Sequence, residues 1–227
     1  GGTAGSGGTA GSGGTAGSGG NGGTAGSGVS TVTGKVTIGS DPGGDPAAGA
    51  TVELLNTTLS TTTDASGAFT LLNVPDGNAF FVTTLDGHWG LVDYFVAPDE
   101  TGGDIDLRVI PDEEIKQIAD ALGRTFSASD GIVSVQFRLA VGGETATISA
   151  SSDLAFTFDS GLSGDPVEQD GVIVDQGEGF LFYSSVTPQA GVSVTVAPTP
   201  PCKVDQLDGT TYTVMAKKIT ATYARCP

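Results

Sequence analysis

The chain of 227 residues carries 26 acidic side chains against 9 basic ones, a formal net charge of −17 at pH 7. That surplus excludes recognition of nucleic acid or anionic lipid through a basic patch, and no apolar run approaches the roughly 20 residues that a membrane-spanning helix needs. The charged fraction is only 15%, and Gly, Ser, Thr and Val dominate instead, as in extracellular all-β proteins built from short strands and tight turns.

The first stretch, residues 1–28, reads GGTAGS three times, then GGN, then GGTAGS and Gly28. Every third residue is glycine: Gly2, Gly5, Gly8, Gly11, Gly14, Gly17, Gly20, Gly23 and Gly26. With no side chain larger than Thr or Asn, the segment buries too little apolar surface to offset roughly 1–2 kcal/mol of backbone entropy per ordered residue. Alone it is a flexible stalk. A glycine period of three also lets backbones approach closely enough to exchange N–H···O=C bonds between chains, so the segment equally reads as an assembly element. Thr3, Thr9, Thr15 and Thr24 are candidate acceptors for O-linked sugar. The chain begins inside this repeat without an initiator Met or a leader, as expected of a processed or trimmed chain.

Val32, Val36 and Ile38 then alternate with Thr33, Lys35 and Thr37, the period of a half-buried strand, and Gly34 marks a bulge or a close contact on its inward face. A turn-rich loop leads to ATVELL, and Asp64 and Gly67 are expected to form a hairpin turn. The strands FFVTTL, VDYFVA and IDLRVI follow, with DGHWG as the loop between the first two. Three motifs stand in order: Gly49-Ala50 entering a strand, Thr63-Asp64-x-x-Gly67-x-Phe69, and Val74-Pro75-x-Gly77. Over about residues 31–110 this order resembles the carboxypeptidase regulatory-like, or transthyretin-like, β-sandwich domain. The resemblance implies a fold and no activity, because such domains are accessory modules on many kinds of protein.

At residue 111 the period changes. Ile115, Ile118, Ala119 and Leu122 fall at helical spacing, with Pro111 at the first turn, Asp112, Glu113 and Glu114 at the positive end and Gly123 as the stop. The apolar stripe is expected to pack on a sheet. From Ser127 the sequence echoes the first unit: GIVSVQF answers GKVTI, Phe180 matches Phe69, and Pro188 and Gly191 stand near the places of Pro75 and Gly77. Near the end, alternation at Tyr212, Val214 and Ala216 shifts phase to Ile219, Ala221 and Tyr223, making Lys217-Lys218 a candidate β-bulge. Cys202 and Cys226 are expected to form a disulfide.

Few residues invite chemistry. His88 and Trp89 sit together in DGHWG, with Asp86 or Asp93 as partners for the imidazole; an exposed Trp there would be a candidate contact for a sugar or a protein. Acids at Asp41 and Asp45, and at Asp99, Glu100, Asp104 and Asp106, lack the spacing of a calcium loop. No zinc spacing, nucleophile elbow or phosphate loop is present. No catalytic residue, metal or cofactor is expected, and the chain reads as a non-enzyme.

The fold expected is therefore all-β: a glycine-rich triplet segment (1–30), a carboxypeptidase regulatory-like β-sandwich (31–110), a linker helix (111–126) and a second, diverged transthyretin-like or Ig-like sandwich with the disulfide (127–227). The expected setting is secreted or on the cell surface. The partners expected are copies of itself in a homopolymer or neighbouring surface proteins. The alternative is a stalk-tethered surface protein, anchored at an outer membrane, whose sandwiches bind carbohydrate or a partner protein. The arrangement resembles bacterial surface lipoproteins, although the lipid-bearing Cys with which those begin is absent.

Overall fold

Alternation buries Val36 and leaves Lys35 exposed, and in the computed structural model this run is the opening strand β1 (Val29–Ile38). The structure describes residues 28–40, 43–97, 105–140, 142–162, 164–168, 172, 177–197, 202–204 and 211–226. The triplet glycines and candidate acceptor threonines of the repeat lie outside them, as do Asp41, Asp99, Glu100 and Asp104.

Among the described residues six further strands belong to the first unit: β2 (Thr51–Leu54), β3 (Ser60–Thr62), β4 (Ala68–Pro75), β5 (Gly77–Thr84), β6 (His88–Ala97) and β7 (Ile105–Pro111). One layer runs β4-β1-β7, with β1 antiparallel to β4 and parallel to β7. The other runs β6-β5-β2-β3, and the two meet where His88, Trp89 and Gly90 pair with Pro111, Ile110 and Val109. Between the layers Val36, Leu71, Val74 and Leu107 pack with Val52, Leu54, Ala79 and Phe81. Burial of this kind contributes roughly 1.5–3 kcal/mol per large side chain.

Asp64 does make a turn, its Oδ1 accepting from the N–H of Ser66 at 2.8 Å and of Ala68 at 3.0 Å. It is not a hairpin. β3 pairs with β2 and β4 with β1, so the turn carries the chain from one layer to the other. The sequence cue specifies the reversal, whereas the partner of each strand is a long-range choice.

Helix α1 (Asp112–Ala121) follows Pro111 directly and buries Ile115 and Ala119. It ends with the Arg124 N–H bonded to the Ala119 carbonyl at 2.8 Å. The second unit contains β8 (Gly131–Ala140), β9 (Thr145–Ile148), β10 (Leu154–Leu162), β11 (Pro166–Glu168), β12 (Gly177–Val186), β13 (Gln189–Val192), β14 (Val194–Ala197), β15 (Lys203–Val204), β16 (Tyr212–Val214) and β17 (Lys218–Arg225). β8 lies between an antiparallel neighbour, β12, and a parallel one, β17, repeating the β4-β1-β7 arrangement. The pairs β9–β14 and β13–β16 supply covering strands over a core of Val133, Val135, Phe137, Leu181, Tyr183 and Val214.

One sheet runs through both units. β17, the last strand, pairs with β8 on one edge and, over Lys218↔Gly90, Ile219↔Leu91 and Thr220↔Val92, with β6 on the other. The helix therefore bridges units that are already joined by a strand.

Two register expectations change. Lys217-Lys218 is not a bulge inside one strand: the residues from Met215 to Lys217 turn the chain between β16 and β17, which belong to different sheets, and Lys217 has φ 55°. Phe180 does not occupy the place of Phe69. Phe69 is buried in the first core opposite Gly34, whereas in the second core the pair is Phe137 opposite Gly179, and Phe180 turns to the other face of the sheet. Large and small have exchanged strands.

Gly34 is the close contact: a Cβ there would lie 2.2 Å from the Ile105 carbonyl oxygen and 2.8 Å from the Phe69 ring. Gly34→Ala is expected to force β1 from β7 and to destabilise the protein by about 1–3 kcal/mol, read as a lowered denaturation midpoint. An unchanged midpoint would show that this contact yields freely.

Candidate functional site

The residues with unusual surroundings gather where β6, β7, β8 and β17 meet. Alternation along β6 puts Trp89, Leu91 and Asp93 on one face, and along β17 it puts Ile219, Ala221 and Tyr223 on the same side. Near the start of these strands that face is covered by α1: Trp89, Ile110, Ile115 and Ile132 form one buried cluster. Further along it becomes polar.

Asp93 is only 5% exposed. Its carboxylate accepts from the Tyr94 N–H at 2.7 Å and, at 3.0 and 3.1 Å, from the hydroxyl of Tyr223 in the other unit. Burial pushes its carboxyl up to about 6, against the opposing effect of those hydrogen bonds and of Arg108 and Arg138. Burial, then Asp93, holds the Tyr223 hydroxyl well above its ordinary value. Arg138 stands over the Tyr223 ring, 5.0 Å from its centroid, and Arg108 donates to the Ser40 carbonyl.

At the other end of the seam Lys218 reaches out of the second unit into the first. Its ammonium donates to the Thr83 carbonyl at 2.7 Å and the Thr84 hydroxyl at 2.6 Å. Burial pulls Lys218 down to about 8, against the pull of Glu53. Gly90 makes room for it, since a Cβ there would lie 1.8 Å from the Thr83 oxygen and 2.7 Å from the Lys218 nitrogen. An ion pair of Lys217 with Asp112, at 2.9 Å, ties the start of α1 to the same place.

Beside the seam is a cleft of about 750 Å³. Its one side is a row of phenyl rings: Phe180 and Phe182 lie 6.2 Å apart with planes within 15°, and Phe156 is 5.1 Å from Phe182, again within 15°. Its other side is formed by Ser40, Asp106 and Arg108 of the first unit, and Asp93, Tyr223 and Gln136 form part of the floor.

The residues singled out by sequence do not gather here. Trp89 is not at a loop tip: His88, Trp89 and Gly90 open β6, and Trp89 is 4% exposed under α1, so its ring offers no outer face to a ligand. His88 points to the opposite side of β6 from Asp93, and its Nδ1 lies 2.8 Å from the Asp86 carbonyl. Cys202 and Cys226 are joined as a disulfide, with Glu144 beside it; both thiols are thus spent and offer no metal site. Asp93, Lys218 and Tyr223 went unread as a group, although a lone Asp inside LVDYFVA and a Lys opening a strand were visible signals.

These features define an all-β protein with a two-layer sandwich over its first half and a cleft between units, and residues 31–108 match the carboxypeptidase regulatory-like domain family. No curated protein matches the chain in sequence. Among solved structures, it is similar to a shaft pilin, SpaA, of Lactobacillus rhamnosus GG, at 10% identity and TM-score 0.30 over 88% of this chain and 98% of that one. The minor pilin GBS52 of Streptococcus agalactiae follows at 11% identity and TM-score 0.26 over 87% and 96%. A cohesin–X-dockerin complex of Acetivibrio cellulolyticus has 22% identity and TM-score 0.27 over 40% and 72%. These are distant likenesses, and what those proteins bind is not carried over.

Asp93 makes stability depend on pH. Because its folded value lies above its ordinary 3.8, its protonation contributes stability that is fully present below about pH 4 and lost as pH rises through about 6. Asp93→Asn is therefore expected to gain on the wild type by up to about 3 kcal/mol between pH 4 and pH 7. Melting curves of both proteins across that window check this, and a constant difference would contradict it.

Proposed function

We propose that the chain is an extracellular or cell-surface structural protein without catalytic activity. In this reading it is the protomer of a filament or surface assembly, packed through its glycine-triplet segment and displaying the joined sandwiches as one rigid head. The observation that carries the reading is the way β17 is fixed. It completes the sheet of both units, and its end is stapled by the Cys202–Cys226 disulfide, a bond that persists in oxidising compartments. Parallel β-sheet pairing on both edges, a buried Lys218 and a covalent staple together favour a body that keeps its shape outside the cell. The glycine period supplies the means of packing, and the acidic surplus favours solubility of the displayed heads.

A second reading, a stalk-tethered surface protein that binds a ligand, draws on the cleft between the units.

Electron microscopy of the native protein separates the two, with a variant lacking residues 1–28 as the control. Regular fibres that vanish on deletion are expected; dispersed particles from both proteins would leave the repeat as a stalk and end the filament reading. Reduction of the disulfide is expected to cost about 3 kcal/mol by the loop-closure argument, measured as a lower denaturant midpoint for the second unit. An unchanged midpoint would remove the staple from the account.

A further inference from the structure

The cleft invites a ligand of a particular kind. Its volume, about 750 Å³, falls within the roughly 300–1,000 Å³ of small-molecule sites, which favour boundaries between domains. Phe180 and Phe182 are half-buried and belong to a run of stacked rings that continues through Phe156, so the second unit offers an apolar aromatic wall. Across from it the first unit offers charges of both signs: Asp106 is exposed and Arg108 half-buried on the outward face of β7, while Asp93 and Tyr223 hold each other on the floor. Gln136 adds an amide, a donor and an acceptor in one group.

This lining excludes some classes by its chemistry. A lipid tail would strip water from Asp106 and Arg108 and return no hydrogen bond. A polyanion would meet the carboxylates of Asp93, Asp106, Glu114 and Asp165. An apolar wall facing carboxylates, one guanidinium and an amide, each able to bond a hydroxyl, suits a molecule with one apolar face and a rim of hydroxyls that both donate and accept. A pyranose ring has that form: its axial C–H groups pack against aromatic carbon, and its vicinal hydroxyls bridge carboxylate, amide and guanidinium.

We propose that this cleft binds a neutral oligosaccharide, with Phe180 and Phe182 as the apolar wall and Gln136, Asp106 and Arg108 as polar contacts. The site owes nothing to Trp89, whose ring lies under α1. It goes beyond the structural reading and is independent of it, because every residue named belongs to the folded units and none to the repeat.

Titration calorimetry on the full chain at pH 7, with maltohexaose, cellohexaose and chitohexaose in turn, tests it. Saturable binding of at least one, with a sub-millimolar Kd, is expected. Phe180→Ala and Gln136→Ala should each weaken that binding about tenfold, a loss of about 1.4 kcal/mol, while melting curves stay cooperative. Gln136 is half-buried and polar, so its variant keeps the test valid should Phe180→Ala fold poorly. No saturable heat from any of the three would overturn the proposal. So would binding that survives both substitutions, or a sulfated hexasaccharide that binds as tightly as the neutral one.

Discussion

The pairing of β17 on both of its edges is the constraint from which the rest of the molecule follows. A strand inside a sheet must satisfy donors and acceptors on two sides, and here the two sides belong to different units: β8 along most of the strand, β6 at its beginning. Side chains then fall on two faces. Thr220, Thr222 and Ala224 are buried, Ala224 in the second core, while Ile219 packs beneath α1 and Tyr223 meets Asp93. Lys218 is a cation in a place that excludes water, and it is tolerable because two oxygens at the end of β5 receive it.

That pairing also sets how the units lie. β6 begins where β7 ends, and β17 and β8 begin at that same end, so α1, which leaves β7 and leads to β8, cannot stretch the units apart. They stand side by side. The helix covers the apolar beginning of the shared face, and ten residues of helix are too few to cover the rest. The uncovered part is the cleft, whose polar floor is made from the remaining outward residues of β6, β7, β8 and β17.

The recurrence of one arrangement in both units, an opening strand between an antiparallel and a parallel neighbour, explains why the second half of the sequence echoes the first. The echo is legible in glycines and strand spacing but not in register. Gly34 opposite Phe69 and Phe137 opposite Gly179 fill equivalent space from opposite strands. A match of Phe to Phe along the sequence therefore lands one residue from the inward position, and in a strand one residue is the other face.

Local chemistry was enough to specify the all-β class, the reversal at Asp64, the helix after Pro111 with its buried Ile115 and Ala119, and the joining of Cys202 to Cys226, since each depends on near neighbours or on residue type alone. The motifs from Gly49 to Gly77 were also enough to mark the family that residues 31–108 match. The tertiary structure alone decided that Asp64 turns the chain between layers, that Trp89 lies under a helix, that Lys217 ends a turn and that Asp93 meets Tyr223 130 residues away. These depend on which strand edges meet. Hydrophobic period gives a strand its inward face, but the hydrogen-bonding edge of a strand is the same backbone whatever the sequence, so its partner is chosen only by the packing of the whole chain.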